Sequence, residues 1–309
     1  MVVVCEGFMT DIVSAGHVPA APRRILAIFN PAAGRNRRRK FDSVVALVRE
    51  TGCDVTVRVT AAPGDAEAMT RAALAERYDL VAAAGGDGTI NEVVNGLRGT
   101  GIALGIVPLG TANVAAEEIG LRRDVAVIAR TLAFGRMRRV HLGLCNGRRF
   151  VMMAGVGFDA NVIGSVSLRL KKILGPLAYV WTAGLQGFRD PYATCDVTID
   201  GVAYTSVSVV ACKGRRYGGP FVAAPNADFA KPSFEIILMK GRGWFSVARY
   251  GAALIFGKIG IWSDVAVMTG REVVVDGITG QLLQADGDIV AALPARITID
   301  PIEQNVAVP

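Results

Sequence analysis

The feature that most constrains this chain is an apolar run, Leu80-Val81-Ala82-Ala83-Ala84, that passes straight into Gly85-Gly86-Asp87-Gly88-Thr89 and on to Ile90-Asn91-Glu92. An unbroken stretch of small apolar residues reads as a strand covered on both faces, and residues 89–97 have helical spacing. The glycines therefore form a strand-to-helix turn, the place where open α/β sheets bind ligands. Glycine lets backbone N–H groups approach phosphate oxygens, and a helix N-terminus adds partial positive charge. The pattern is neither the GxxxxGK[ST] loop nor the GxGxxG fingerprint. A carboxylate facing phosphates repels them unless Mg²⁺ lies between, so Asp87 reads as a metal ligand or, alternatively, as a turn residue bonding nearby amides.

The same logic recurs on either side. Residues 25–29 form an apolar run closed by Asn30-Pro31-Ala32-Ala33-Gly34, and residues 102–107 form another before Pro108-Leu109-Gly110-Thr111-Ala112-Asn113. With helical spacing over 41–50 and 65–77 and a β-rich run at 54–60, strands and helices alternate, which predicts a parallel sheet covered on both faces over residues 24–135. From residue 136 to 309 short runs at 150–154, 195–199, 206–211, 234–239, 272–276, 281–285 and 295–299 predict an antiparallel sandwich, with helical insertions near 170–188 and 244–258. The fold expected is a doubly wound, Rossmann-like α/β domain followed by a β-sandwich domain, with the last residues returning to the first domain. Residues 1–23 are expected to be a loosely ordered leader, not a signal peptide.

A net charge of +7 favours an anionic partner. The basic residues bunch at Arg35 to Lys40, at Arg136, Arg138, Arg139, Arg148 and Arg149, and at Lys213, Arg215 and Arg216. Each cluster reads either as an anion contact or as a solvated surface. No aromatic stacking pattern interleaves with them, so no nucleic-acid partner is expected. The five cysteines form no CxxC pair and the histidines are only His17 and His141, which fits a reducing cytoplasm better than zinc or disulfides. No segment is apolar for long enough to span a bilayer; the basic amphipathic stretch 168–180 and the stretch 244–262 read as helices on a core or on a membrane surface.

Together NPAAG at 30–34, GGDGTINEVVNGL at 85–97, PLGTAN at 108–113, GVGFDA at 155–160 and GGPFVAAPNAD at 218–228 resemble the diacylglycerol kinase catalytic-domain family, which includes bacterial lipid kinases and sphingosine and ceramide kinases. The resemblance implies a lipid kinase that takes ATP in a cleft between two domains and phosphorylates the hydroxyl of a membrane lipid. It implies that Asn30, Thr60, Gly85, Gly86, Asp87, Gly88, Thr89, Ile90, Asn91 and Thr111 contact the nucleotide, and that Asp87 positions catalytic Mg²⁺. The usual DGE base motif corresponds to Asp286-Gly287-Asp288, making Asp288 the expected general base, on a side chain one methylene shorter.

Bacterial relatives often carry an Asp-Gly-x-Leu segment that binds a structural Mg²⁺. Here residues 227–234 place Lys231 where that aspartate stands, so the metal site is expected to be absent. Lys231 is expected to supply the missing charge, paired with Asp228, or else to be a solvated loop lysine. The partners implied are ATP, a lipid substrate and the anionic inner face of the membrane, and the reading admits a homodimer. Competing readings are an NAD kinase, which shares GGDG, and an inactive nucleotide- or lipid-binding regulator.

Overall fold

The computed structural model describes residues 22–33, 35–157, 194–217, 219, 221–277 and 281–309. The leader at 1–21, the helical stretch expected at 170–188 and the ends of the GVGFDA and GGPF motifs lie outside the described residues.

The first sheet starts with β1 (Arg24–Phe29), β2 (Asp54–Val59), β3 (Leu80–Gly85), β4 (Ala103–Pro108) and β5 (Arg136–Val140). Between them lie α1 (Arg35–Glu50), α2 (Asp65–Ala72), α3 (Asp87–Gly96), α4 (Val114–Glu118) and α5 (Val125–Phe134). The following strands are β6 (Gly143–Cys145), β7 (Arg148–Phe150), β8 (Met153–Val156), β9 (Cys195–Ile199), β10 (Val202–Ser206), β11 (Ser208–Cys212), β12 (Arg216–Tyr217), β13 (Phe221–Val222) and β14 (Phe234–Met239). Next come α6 (Gly243–Ile255), β15 (Val265–Gly270), β16 (Glu272–Asp276), β17 (Leu282–Ala285), β18 (Asp288–Ala292), β19 (Ala295–Ile299) and β20 (Gln304–Val308).

The first sheet runs β2-β1-β3-β4-β20-β5, parallel except where β5 meets β20. β3 and β4 are buried along their whole length, as their uninterrupted apolar sequence requires. α1 packs on α5 and α2 on α3, giving helices to cover the sheet. α1 begins before residue 41, through the arginine run, because arginine and lysine are good helix formers and need no burial. α5 is a helix that the spacing left unassigned; the Asp124 carboxylate caps it by accepting from the Ala126 and Val127 N–H groups at 2.9 and 3.0 Å.

Two antiparallel sheets, β10-β9-β16-β19-β6-β7 and β15-β14-β11-β8-β17-β18, form the sandwich. Cys195, Val197 and Ile199 point from β9 into its core while Asp196 is exposed, the alternation expected of a one-sided strand. β14 is buried on both sides: Phe234, Ile236 and Leu238 join the sandwich core, whereas Ile237 and Met239 join the core that extends to the first sheet. The second sandwich sheet thus sits against the α/β part, and Val151, Met152 and Met153 belong to that shared core.

Candidate active site

The carboxyl ends of β2, β1, β3 and β4 lie side by side, and every loop singled out for the nucleotide leaves from one of them. Asn30 donates its backbone N–H to Ala84 O at 2.9 Å and its side-chain amide to Thr89 Oγ1 at 3.1 Å. Thr60, buried, donates its N–H to Phe29 O at 3.0 Å. Leu109 and Gly110 donate to Gly85 O at 2.9 and 3.1 Å, locking the two glycine turns together. A Cβ on Gly85 would meet Thr89 Oγ1 at 2.3 Å, and one on Gly110 would meet Gly86 Cα at 2.6 Å, so packing requires both glycines. Gly88 is exposed with nothing within 4 Å of a built Cβ. Its bare backbone leaves the first turn of α3 open, and no side chain caps that helix. Thr111 is exposed and accepts a long 3.5 Å contact from Arg37.

Ile90 and Asn91 are placed differently from the other residues of this turn. Ile90 is fully buried and its N–H is bonded to Gly86 O at 3.1 Å. The Asn91 amide donates to Arg149 O at 3.2 Å and to Asp286 Oδ2 at 2.9 Å, while its Oδ1 accepts from Asn95 at 3.1 Å. Its two amide N–H bonds join α3 to the sandwich. Glu92, next along, bonds the Gly64 and Ala66 N–H groups at 3.0 Å and so fixes the start of α2.

Asp87 is half-buried at the first position of α3. Burial pushes its pKa up, opposed by N–H groups of Ala115, Val114 and Asn113 and by its own. A carboxylate desolvated in this way would be relieved by a cation, and its N–H bonds tie α3 to the segment 113–115.

Asp286 and Gly287 have φ of 52° and 93° and make the two-residue turn between β17 and β18, the geometry that an Asp-Gly pair favours in hairpins. The Asp286 carboxylate accepts N–H bonds from Val151 at 2.6 Å and from Met152 and Met153 at 2.7 and 3.2 Å, besides the Asn91 bond. Burial raises its pKa and these donors oppose the rise. Asp288, exposed, begins β18. The turn that presents it is thus bonded to Asn91, one helical turn after Asp87 on the same side of α3. Asp286 was read only as the first residue of the DGD motif; its tie to Asn91 and to the 151–153 backbone left no local signal in the sequence.

The three basic clusters differ. Arg138, Arg148 and Arg149 pair with Asp228, Glu67 and Asp300 at 3.0, 3.1 and 2.6 Å, and Arg215 pairs with Glu118 at 2.9 Å, so two clusters serve largely as internal ties. In the cluster on α1, Arg37 and Lys40 reach the Thr111 loop, with Lys40 Nζ donating to Pro108 O at 3.4 Å. Burial, and then the nearby Arg123, lower the Lys40 pKa, with Asp124 opposing.

The structural-cation loop contains a different cation from the one expected. The Lys231 side chain is exposed, and Asp228 pairs with Arg138. Lys213, fully buried, donates from Nζ to the carbonyl oxygens of Asp228, of Lys231 at 2.9 Å and of Ser233 at 3.4 Å, with the Phe229 ring centroid 5.9 Å away. Carbonyl oxygens that could ligate a metal face an ammonium instead, and the residues here do not fit a divalent ion. Lysine at 213 had read as part of a surface cluster, and nothing local in the sequence marks it as buried.

Residues 24–145 match the family model for the diacylglycerol kinase catalytic domain, and residues 152–308 match that for the YegS C-terminal NAD kinase beta sandwich-like domain. The chain belongs to the diacylglycerol kinase and YegS-like lipid kinase family. It is 28% identical to the diacylglycerol kinase of Bacillus subtilis over 281 residues, 89% of this chain and 92% of the relative. Over 171 residues, 55% of each chain, it is 41% identical to a Pseudomonas aeruginosa protein named probable lipid kinase YegS-like. The crystal structure of a diacylglycerol kinase from Bacillus anthracis superposes with a TM-score of 0.70 at 20% identity, over 94% of this chain and 98% of that one, which speaks for the fold.

Proposed function

We propose that this lipid kinase transfers the γ-phosphoryl group of ATP to the hydroxyl of diacylglycerol or a related membrane lipid at the carboxyl edge of the first sheet. The observation that supports the reading is the convergence of the Asn30, Thr60, 85–89 and 108–111 segments with Arg37 and Lys40 at one edge, beside a turn carrying Asp288 that is bonded to α3 through Asn91 and Asp286.

Phosphoryl transfer depends on positioning and charge stabilisation. The open first turn of α3 offers backbone N–H groups to the phosphates. Arg37 and Lys40 add cationic charge. Asp288 accepts the proton of the lipid hydroxyl as its oxygen attacks the γ-phosphorus in line, and ADP leaves from the opposite side. Asp286 positions that turn. Mg²⁺, when bound beside Asp87, would supply neutralisation of the phosphate charge. The protein would act peripherally at the anionic inner face of the membrane; no helix among the described residues is long and apolar enough to cross one.

Asp288→Asn tests the assignment. It keeps the shape of the residue and removes the base, so transfer of labelled phosphate from ATP to diacylglycerol should fall by about 10²–10⁴ with ATP affinity unchanged. Wild-type turnover by the variant would overturn the role of Asp288, and transfer to NAD instead of lipid would overturn the substrate class.

A further inference from the structure

The three most exposed large apolar side chains among the described residues all lie between 245 and 261: Phe256 at 75%, Ile261 at 68% and Phe245 at 66%. Phe245 lies on α6 and Phe256 is its C-cap, three turns apart on one stripe, with exposed Ala252 between them. Ile261 ends the short helical turn that follows. The adjoining face of α6 is well anchored. Ser246, Tyr250 and Ala253 are buried, the Tyr250 hydroxyl donates to Asp264 at 2.5 Å, and Gly241 N–H donates to that hydroxyl at 2.9 Å. Arg249 pairs with Asp264 and stacks over the Tyr250 and Trp262 rings at 5.0 and 4.9 Å. The apolar stripe is therefore held outward by a fixed helix and is not a frayed end.

Charge decides what such a stripe fits. No acidic residue occurs from 240 to 263, while Lys240, Arg242 and Lys258 are exposed at both ends of the helix. Asp264, the first carboxylate reached, is taken by Arg249. Apolar side chains projecting from a rim of cations match a bilayer whose surface is anionic: rings enter the acyl boundary and ammonium and guanidinium groups meet lipid phosphates. A protein partner suits the rim less well, because lysine is depleted at protein interfaces.

We infer that Phe245, Phe256 and Ile261, with Arg242 and Lys258, form the surface by which this enzyme docks on anionic membrane. The inference rests on the lipid-kinase reading only in that such an enzyme must reach a substrate lodged in a bilayer. It places the contact on α6 and the turn after it, outside the nucleotide edge.

The test is co-sedimentation of the full chain with vesicles of phosphatidylcholine containing phosphatidylglycerol and with vesicles of phosphatidylcholine alone. Wild type should bind the former. Phe256→Ser with Ile261→Ser should weaken that binding about tenfold or more. Arg242→Gln with Lys258→Gln should weaken it at least fivefold while leaving any binding to phosphatidylcholine alone unchanged. Both double variants should keep the wild-type thermal midpoint and the wild-type turnover of a short-chain diacylglycerol presented as monomers. Unchanged vesicle binding by both variants would overturn the docking surface while leaving the kinase reading intact. Conversion of a wild-type dimer to monomer by Phe256→Ser with Ile261→Ser, with vesicle binding unchanged, would overturn it in favour of a second copy of the chain. Vesicle binding that depends on these residues in a protein that phosphorylates no lipid would support the surface and sink the kinase reading alone.

Discussion

Arg149 and Lys213 are the cationic side chains that the described residues hide completely, and they are held by opposite chemistry. The Arg149 guanidinium meets a carboxylate, Asp300 Oδ2 at 2.6 Å, and spreads its other donors over Ile302 O at 2.7 Å and Gln304 Oε1 at 3.2 Å. Its own backbone bonds Asn95 and Asn91 of α3. One residue thus ties the helix behind the 85–88 glycine turn to the sandwich and to the segment that returns as β20. Lys213 meets no carboxylate, only carbonyl oxygens of one loop. The planar fork suits a joint between several segments, whereas the compact ammonium acts as a bound cation would, gathering carbonyls around a point charge. The largest effect should therefore come from Arg149→Met. It strands the buried Asp300 carboxylate, leaving Arg98 at 3.0 Å as its partner, and should cost about 3–5 kcal/mol in urea unfolding. A loss under 1 kcal/mol would show that Arg98 alone sustains the joint and would remove the contrast with Lys213.

Lys213→Met should cost less, about 1–3 kcal/mol near neutral pH, since it deprives carbonyl groups of a donor without leaving a charge unpaired. The two cations should also separate by pH. Burial is the main influence on Lys213 and pushes its pKa down to about 8 from 10.5, with Asp228 opposing and Arg138 assisting. The folded chain then releases this proton more readily than the unfolded one, so the charged form weighs against folding below about pH 8. Stability of the wild type relative to Lys213→Met should rise between about pH 8 and 10.5, by up to about 1.4 kcal/mol per pH unit. Arg149, also lowered by burial but starting from 12.5, stays charged there, and the cost of Arg149→Met should stay flat over the same window. Parallel pH profiles for the two variants would break the comparison.

The contrast also marks what the sequence discloses. The turns at the carboxyl edge of the first sheet were legible because their signals are local: apolar runs followed at once by Asn30-Pro31, by the glycines at 85–88 and by the Gly110 turn. The last residues pair as β20 with β4 and β5, a contact between distant parts of the chain. The engagement of Asn91 with Arg149 and Asp286 and the burial of Ile90 were not legible, because motif position cannot say which side of a helix turns toward a neighbouring domain. Arg149 read as one of a basic cluster because its partner Asp300 is 151 residues away in the chain. Lys213 lay hidden for the same reason, since burial and a carbonyl cage are made by packing and leave no pattern in neighbouring residues.

The smallest effect should fall on the lysine that the sequence favoured. Lys231 lends the loop its backbone carbonyl, which any residue supplies, while its side chain is exposed. Lys231→Ala should therefore change stability by no more than about 0.5 kcal/mol, as surface substitutions do. Adding a divalent chelator to the protein without nucleotide should leave the thermal midpoint of both wild type and Lys231→Ala unchanged, because the ammonium already occupies the carbonyl cage. Lys213→Met offers the converse: with the ammonium gone but no carboxylate ligand introduced, Mg²⁺ should not restore its stability, since carbonyls alone hold that ion poorly against its hydration shell. If Lys231→Ala instead proved as damaging as Lys213→Met, or if chelation lowered the wild-type midpoint, the cation of this loop would be a metal held with the help of Lys231's surroundings, and Lys213 would be a bystander.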